Sequence, residues 1–167
     1  MVTDTVSTFE DSLGRLDVGW THTSPDGFES TVASLVEAPA VGVSLPFDGA
    51  SLPDDVTVDP PASALESART GVTPASFGVA AYGSVVLPST PDGAEPVSLY
   101  PELHVPVVRA ADVVPGMPEA FERFGTEIRA ERRSAIVATG PSATADMGEL
   151  VRGAHGPKEV HVVILDE

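Results

Sequence analysis

SAIVATGPSATAD, residues 134–146, is the stretch whose local structure decides how the rest of the chain can be arranged. Ser134 to Ala138 has the length and the apolar, β-branched texture of a buried strand, and Gly140-Pro141-Ser142 then breaks it. The residues that follow, Ala143 to Arg152, read as a short helix ended by Gly153. This sets a turn at the carboxyl end of a strand and the amino end of a helix. There, free backbone amides and the hydroxyls of Ser142 and Thr144 would hold an anion such as a carboxylate or phosphate. A purely structural account is equally concrete. Ser142 or Thr144 serves as the N-cap, worth about 1 kcal/mol, while Asp146 and Glu149 complement the positive end of the helix dipole.

The next stretch outward, GAHGPKEVHVVIL from Gly153 to Leu165, puts His155 in a glycine-flanked loop just before a strand, Val160 to Leu165. A histidine so placed can act as acid, base or hydrogen-bond donor near neutral pH, or simply pack while Gly156-Pro157 shapes the approach to the strand. If the Gly-Pro-Ser bend and this loop border one hollow, His155 and Asp146 are its candidates for acid–base work. His161 lies inside the strand, and His22 and His104 are isolated in sequence. No pair of histidines has the spacing of a helical zinc site, so no metal is expected, and GVAAYGS is neither a Walker nor a Rossmann fingerprint.

Farther upstream, helical spacing recurs in Val6 to Leu16, through Phe9, Leu13 and Leu16, and in Phe28 to Glu37, which Pro39 stops. A strand is expected around Trp20, a buried one over Ala40 to Leu45, and a short one over Val56 to Val58. Pro60 and Pro61 open a small helix, Ala62 to Arg69. From Gly71 a tight loop or short helix leads into the strand Ser84 to Leu87, and Pro91, Gly93 and Pro96 mark a surface excursion. Leu103 to Val108 is a strand in which Pro106 favours an edge or a bulge. The clearest helix is Pro118 to Arg133, with Phe121, Phe124 and Ile128 on one face and a Glu119–Arg123 pair worth about 0.3 kcal/mol. Strands alternating with helices predict one domain over residues 1–167, a three-layer α/β/α fold with a mostly parallel sheet. Periodicity is shortest in residues 1–30.

Composition limits the function. Acidic residues outnumber basic ones 25 to 9, a formal charge of −16, so a phosphate backbone is repelled and nucleic acid is not expected as a partner. Lys158 is the only lysine, and the spread of acids along the chain reads as a halophile's solvated surface, its self-repulsion screened at molar salt. With no cysteine there is no disulfide, thiolate nucleophile or cysteine-ligated cluster. The opening residues lack the charge pattern of a signal peptide and no apolar run is long enough to cross a bilayer, which makes the cytoplasm the expected compartment.

Taken together, GPSATADM and GAHGPKEVHVVIL resemble the carboxyl-terminal signature of the LUD-domain family, particularly its lactate-utilisation C proteins, here as a haloarchaeal member. GVTPASFGVAAYGSVVLP is similar to that family's middle motif and LYPELHVPVV to its next strand. The resemblance implies a three-layer fold related to ribose-phosphate isomerase, glucosamine-phosphate deaminase and CoA transferases, with a cleft at the strand ends. By motif it places Thr73, Gly83, Ser84, Gly140, Pro141, Ser142, Thr144, Asp146, His155 and Gly156 around that cleft. It also implies a role in oxidising L-lactate to pyruvate alongside iron–sulfur partner proteins, with no cofactor bound directly. Where the family usually carries glutamate and threonine, this chain has Ala81 and Tyr82, which removes the natural carboxylate for acid–base or covalent work.

Two functions follow from this reading. One is an accessory component of lactate utilisation whose cleft binds a small anionic ligand. The other is a stand-alone enzyme acting on a phosphorylated sugar or acyl-CoA substrate.

Overall fold

The computed structural model describes residues 2–131 and 134–166, without the side chains of Val2, Thr3, Glu131 and Asp146. Helix α1 (Val2–Arg15) leads to β1 (Gly19–Thr23), and α2 (Phe28–Leu35) to β2 (Ala40–Gly42) and β3 (Val56–Val58). Then come α3 (Ala62–Ser67), β4 (Thr70–Pro74), β5 (Phe77–Val79), β6 (Ser84–Pro88), α4 (Ala94–Leu99) and β7 (Leu103–Arg109). The chain continues through β8 (Val113–Val114), α5 (Met117–Glu131), β9 (Ala135–Thr139), β10 (Ala143–Asp146), β11 (Glu149–Arg152) and β12 (Glu159–Leu165).

Six strands form one wholly parallel sheet in the order β1-β12-β7-β4-β2-β3. Alternation along its central strands sorts side chains between two cores. Val105 and Val107 of β7 and Val163 and Leu165 of β12 face Phe28 and Val32 of α2, whereas Val108, Val162 and Ile164 face Phe9 and Leu13 of α1. Phe28 and Phe9 are fully enclosed, each worth roughly 2–3 kcal/mol by area burial. Helices α3 and α4 share α1's side of the sheet, packing on Val41 and Val43. Gly71 lets α4 approach: a Cβ there would sit 2.1 Å from the Val97 carbonyl oxygen.

Beyond α1 lies a second sheet, β8-β5-β6-β9, with β6 antiparallel to both of its neighbours. Val85 and Leu87 turn toward α1 while Val86 turns outward onto α5, where Phe77 and Phe124 stack edge to face at 5.3 Å. Helices on both sides of a mostly parallel sheet is the architecture expected from the sequence.

Several local expectations are corrected. Ala143 to Arg152 is no helix but a β-hairpin, β10 against β11, so no helical amides follow Gly140-Pro141-Ser142. Residues after Gly71 first form strands β4 and β5, and the expected short helix leading into β6 is one 3-10 turn, Ala80–Tyr82; the 91–96 excursion carries α4, with Ala94, Val97 and Ser98 buried. Pro106 lies in β7, a central strand. Pairing with β4 runs unbroken across Thr73–Pro106, while pairing with β12 skips from Val160 to Val163, so the lost donor falls on the β12 side. On α5, Ala120 and Phe124 face the sheet and Phe121 is exposed. Glu119 accepts from the Gly116 amide, and Arg123 pairs instead with Asp112 and Glu127. Arg132 and Arg133, read as the end of that helix, lie outside the described residues.

Candidate functional site

Between the two sheets, a hollow of about 160 Å³ opens beside α1. Its walls are apolar: Leu13 and Val18, Val85 and Leu87 of β6, Ile136 and Ala138 of β9, and Val160 and Val162 of β12. Gly83, Gly140, Ser142, His155, Gly156 and Pro157 complete the rim, so the Gly-Pro-Ser bend and the histidine loop do border one space. Backbone bonds join them, the Ser142 amide donating to the Pro157 carbonyl at 2.8 Å and the Gly153 amide to the Ser142 carbonyl at 3.0 Å. Both amides are therefore spent on structure. Gly83 closes the turn before β6 at φ +64°, and a Cβ there would lie 3.0–3.1 Å from the backbone of Ser12 and Leu13.

The floor comes from β7. His104, 2% exposed, lines the hollow, and its Nε2 lies 2.8 Å from Oγ1 of Thr73, itself fully buried. Burial alone pushes the imidazole down to about 3, so the ring is neutral at any physiological pH. Ser98 of α4 is equally enclosed and donates to the Glu95 carbonyl at 2.7 Å. None of the side chains lining the hollow is lysine or arginine. His104 and Val160 are each the second residue of a parallel strand, so the hollow faces the amino-terminal halves of β7 and β12. The expected cleft at carboxyl strand ends is thus not where the motifs converge. The bend at Gly140 does end a strand, β9, but that strand belongs to the antiparallel sheet.

Five of the residues assigned by motif line the hollow: Gly83, Gly140, Ser142, His155 and Gly156. Thr73 reaches it through His104. Ser84 is buried and bonds Thr139 across the β6–β9 pair at 2.7 Å, a structural contact. Pro141 borders a different depression with Gly19 and His161, and Thr144 sits on the hairpin. Asp146 ends β10, with its side chain outside what is described. Tyr82 is 52% exposed and does not plug the hollow, and Ala81 beside it is exposed as well. The residue the sequence reading missed is His104. Its signal was the strand itself, since Leu103, Val105 and Val107 share one face and His104 must turn to the other.

A more open crevice of about 420 Å³ does lie at the carboxyl ends of β4 and β7, lined by Arg109, Asp112, Arg123 and Glu127. Its charges are matched internally: Asp112 pairs with both arginines, and Arg123 also bonds Glu127 and the Ser76 carbonyl. Among the described residues no group of three or more histidines, aspartates or glutamates could hold a metal ion, and no helix is long and apolar enough to cross a membrane.

Comparison with known proteins places this geometry. The LUD domain model matches residues 62–165. Lactate utilization protein C of Deinococcus radiodurans is 30% identical over 166 residues, covering 94% of this chain and 77% of that protein. Lactate utilization protein C of Bacillus subtilis is 35% identical over 106 residues, and there the chain spans only 44% of the relative's length. A crystal structure of a DUF162 family protein from Deinococcus radiodurans superposes with a TM-score of 0.76 at 23% identity, covering 99% of this chain and 98% of that one. With the family model spanning both motifs that converge on the hollow, the chain belongs to the LUD-domain family as a homologue of lactate utilization protein C.

Proposed function

We propose that this chain is a cytoplasmic accessory component of L-lactate utilisation, working beside iron–sulfur partner proteins as lactate is oxidised to pyruvate, and that its hollow holds a small organic anion. The observation that supports this is the convergence of both carboxyl-terminal motifs and His104 on one space. A cavity near 150 Å³ accommodates a guest of about six non-hydrogen atoms, the size of benzene and equally of a three-carbon hydroxy or oxo acid. The carbon skeleton lies against the valine, leucine and isoleucine walls. The carboxylate stays at the mouth near Ser142 and His155, in reach of water, because no cation lines the interior to pair with a buried charge. This replaces the helical amides inferred from the sequence as the reason an anion would be held.

Exposed Ala81, at the position where the motif resemblance implies a glutamate, favours an accessory role over independent catalysis. The lack of cysteine suits a component that carries no cluster of its own. Phosphorylated sugars and CoA esters are larger than the hollow and need cationic contacts it does not offer. Two measurements test the reading: calorimetric titration with L-lactate and pyruvate at molar salt, and co-purification from native cells at the same salt. Saturable binding of either acid and recovery of an iron–sulfur protein are expected. Neither acid binding, together with growth on lactate unchanged by deletion, would overturn it.

A further inference from the structure

His104 Nδ1 has no hydrogen-bond partner among the described residues. Yet it is not sealed off, for Thr90 Oγ1 is the one side-chain polar atom among them that is both fully enclosed and unpartnered. The open space this ring borders is the hollow, so Nδ1 faces whatever occupies it. A neutral imidazole carries one proton on two nitrogens, and a hydroxyl both donates and accepts. The pair therefore has two states with the same heavy-atom positions. In one, Thr73 donates to Nε2 and Nδ1–H points into the hollow as a donor. In the other, Nε2–H donates to Thr73 and Nδ1 is an acceptor.

We propose that the Thr73–His104 pair reads an oxygen on the ligand's carbon skeleton in either oxidation state, accepting from a hydroxyl in one tautomer and donating to a carbonyl in the other. This rests on the reading that the hollow holds a short 2-hydroxy or 2-oxo acid. A hydroxyl turned toward the ring among hydrocarbon walls has a proton to place, and Nδ1 takes it. A carbonyl has none and needs the N–H. Between the two states the ring loses a proton at one nitrogen and gains one at the other, its charge unchanged, while the Thr73 hydroxyl rotates. A lysine or arginine in the same place could only donate, and would favour the oxo acid.

The test uses the full chain labelled with 15N. The ring nitrogens of His104 are followed by long-range 1H–15N correlation in complexes with L-lactate and with pyruvate, and affinity is measured in parallel by calorimetry. The lactate complex is expected to hold the Nε2–H form and the pyruvate complex the Nδ1–H form. Thr73→Val is expected to weaken both acids about tenfold, and Thr73→Ser to restore binding to within about twofold. Binding with the same ring form in both complexes, or affinity unchanged in Thr73→Val, overturns the proposal and leaves the ligand reading standing. If neither acid binds the wild-type chain, both fall together.

Discussion

An imidazole enclosed by hydrocarbon makes folding sensitive to acid. His104 titrates near pH 3 in the folded chain against 6.5 when free, so below 6.5 the unfolded state binds the extra proton and stability drains away as pH falls. The loss should approach about 1.4 kcal/mol per pH unit between those limits. Denaturant melts from pH 7 to 4 should show a steeper slope in the wild type than in His104→Gln, which keeps the same-direction contribution of partly buried His161. His22 behaves in the opposite sense. Burial lowers its affinity for a proton, but Asp166 at 2.9 Å on Nδ1 and Glu10 at 2.6 Å on Nε2 outweigh this and raise its pKa. With a carboxylate on each nitrogen, the ring bridges α1, β1 and the residue after β12 as a cation. Its contribution is complete below the unfolded value of 6.5, while the carboxylates remain ionised, and fades as pH rises through the raised folded value. The stability difference between wild type and His22→Gln should therefore be largest near pH 6 and shrink by pH 9.

The hairpin is the element at which sequence reading failed, for an identifiable reason. Ala143 to Arg152 contains alanine, methionine, glutamate, leucine and arginine, all good helix formers, and its exposed apolar residues give no core-facing alternation to contradict them. The decisive pair was Met147-Gly148, whose φ values of 49° and 84° form the two-residue turn that right-twisted strands require. Methionine pays an αL penalty there while 99% exposed, so it contributes no burial in return. Met147→Asn should stabilise the hairpin by about 0.5–1 kcal/mol, visible as slower amide exchange in β10 and β11 with little change in the global melt. Elsewhere the elements were legible where periodicity was strong. The strand Val56–Val58 was read to the residue, and the strands at β6, β7, β9 and β12 to within one residue at either end. Pro106 misled because a proline's cost was assigned to the whole strand, whereas it falls on one neighbour only.

Over the whole molecule, the parallel sheet with helices on both sides could be argued from alternation alone. The second, antiparallel sheet could not. Its strands are short and apolar on both faces, because α1 covers one side of β6 and α5 the other, and such runs carry no signature of which partner they join. The site was legible in part for the same reason: motifs located the rim, but the floor at His104 required knowing that β7 runs beneath β9's bend. The charge balance of 25 acidic to 9 basic residues acts at this scale, through mutual repulsion that salt screens to about 3 Å at 1 M. Raising potassium chloride from 0.1 to 2 M should lift the midpoint of thermal unfolding by about 5 °C or more, the equivalent of about 2 kcal/mol in a chain this long.

Strand order also sets a timetable. Within the described sheet β1 has one neighbour, β12, so its backbone has no strand to pair with until residue 165 has emerged from the ribosome. The first edge of the sheet is thus the last to close. Until then Trp20 and its flanking backbone wait as an unpaired ribbon, an edge that a chaperone could cover.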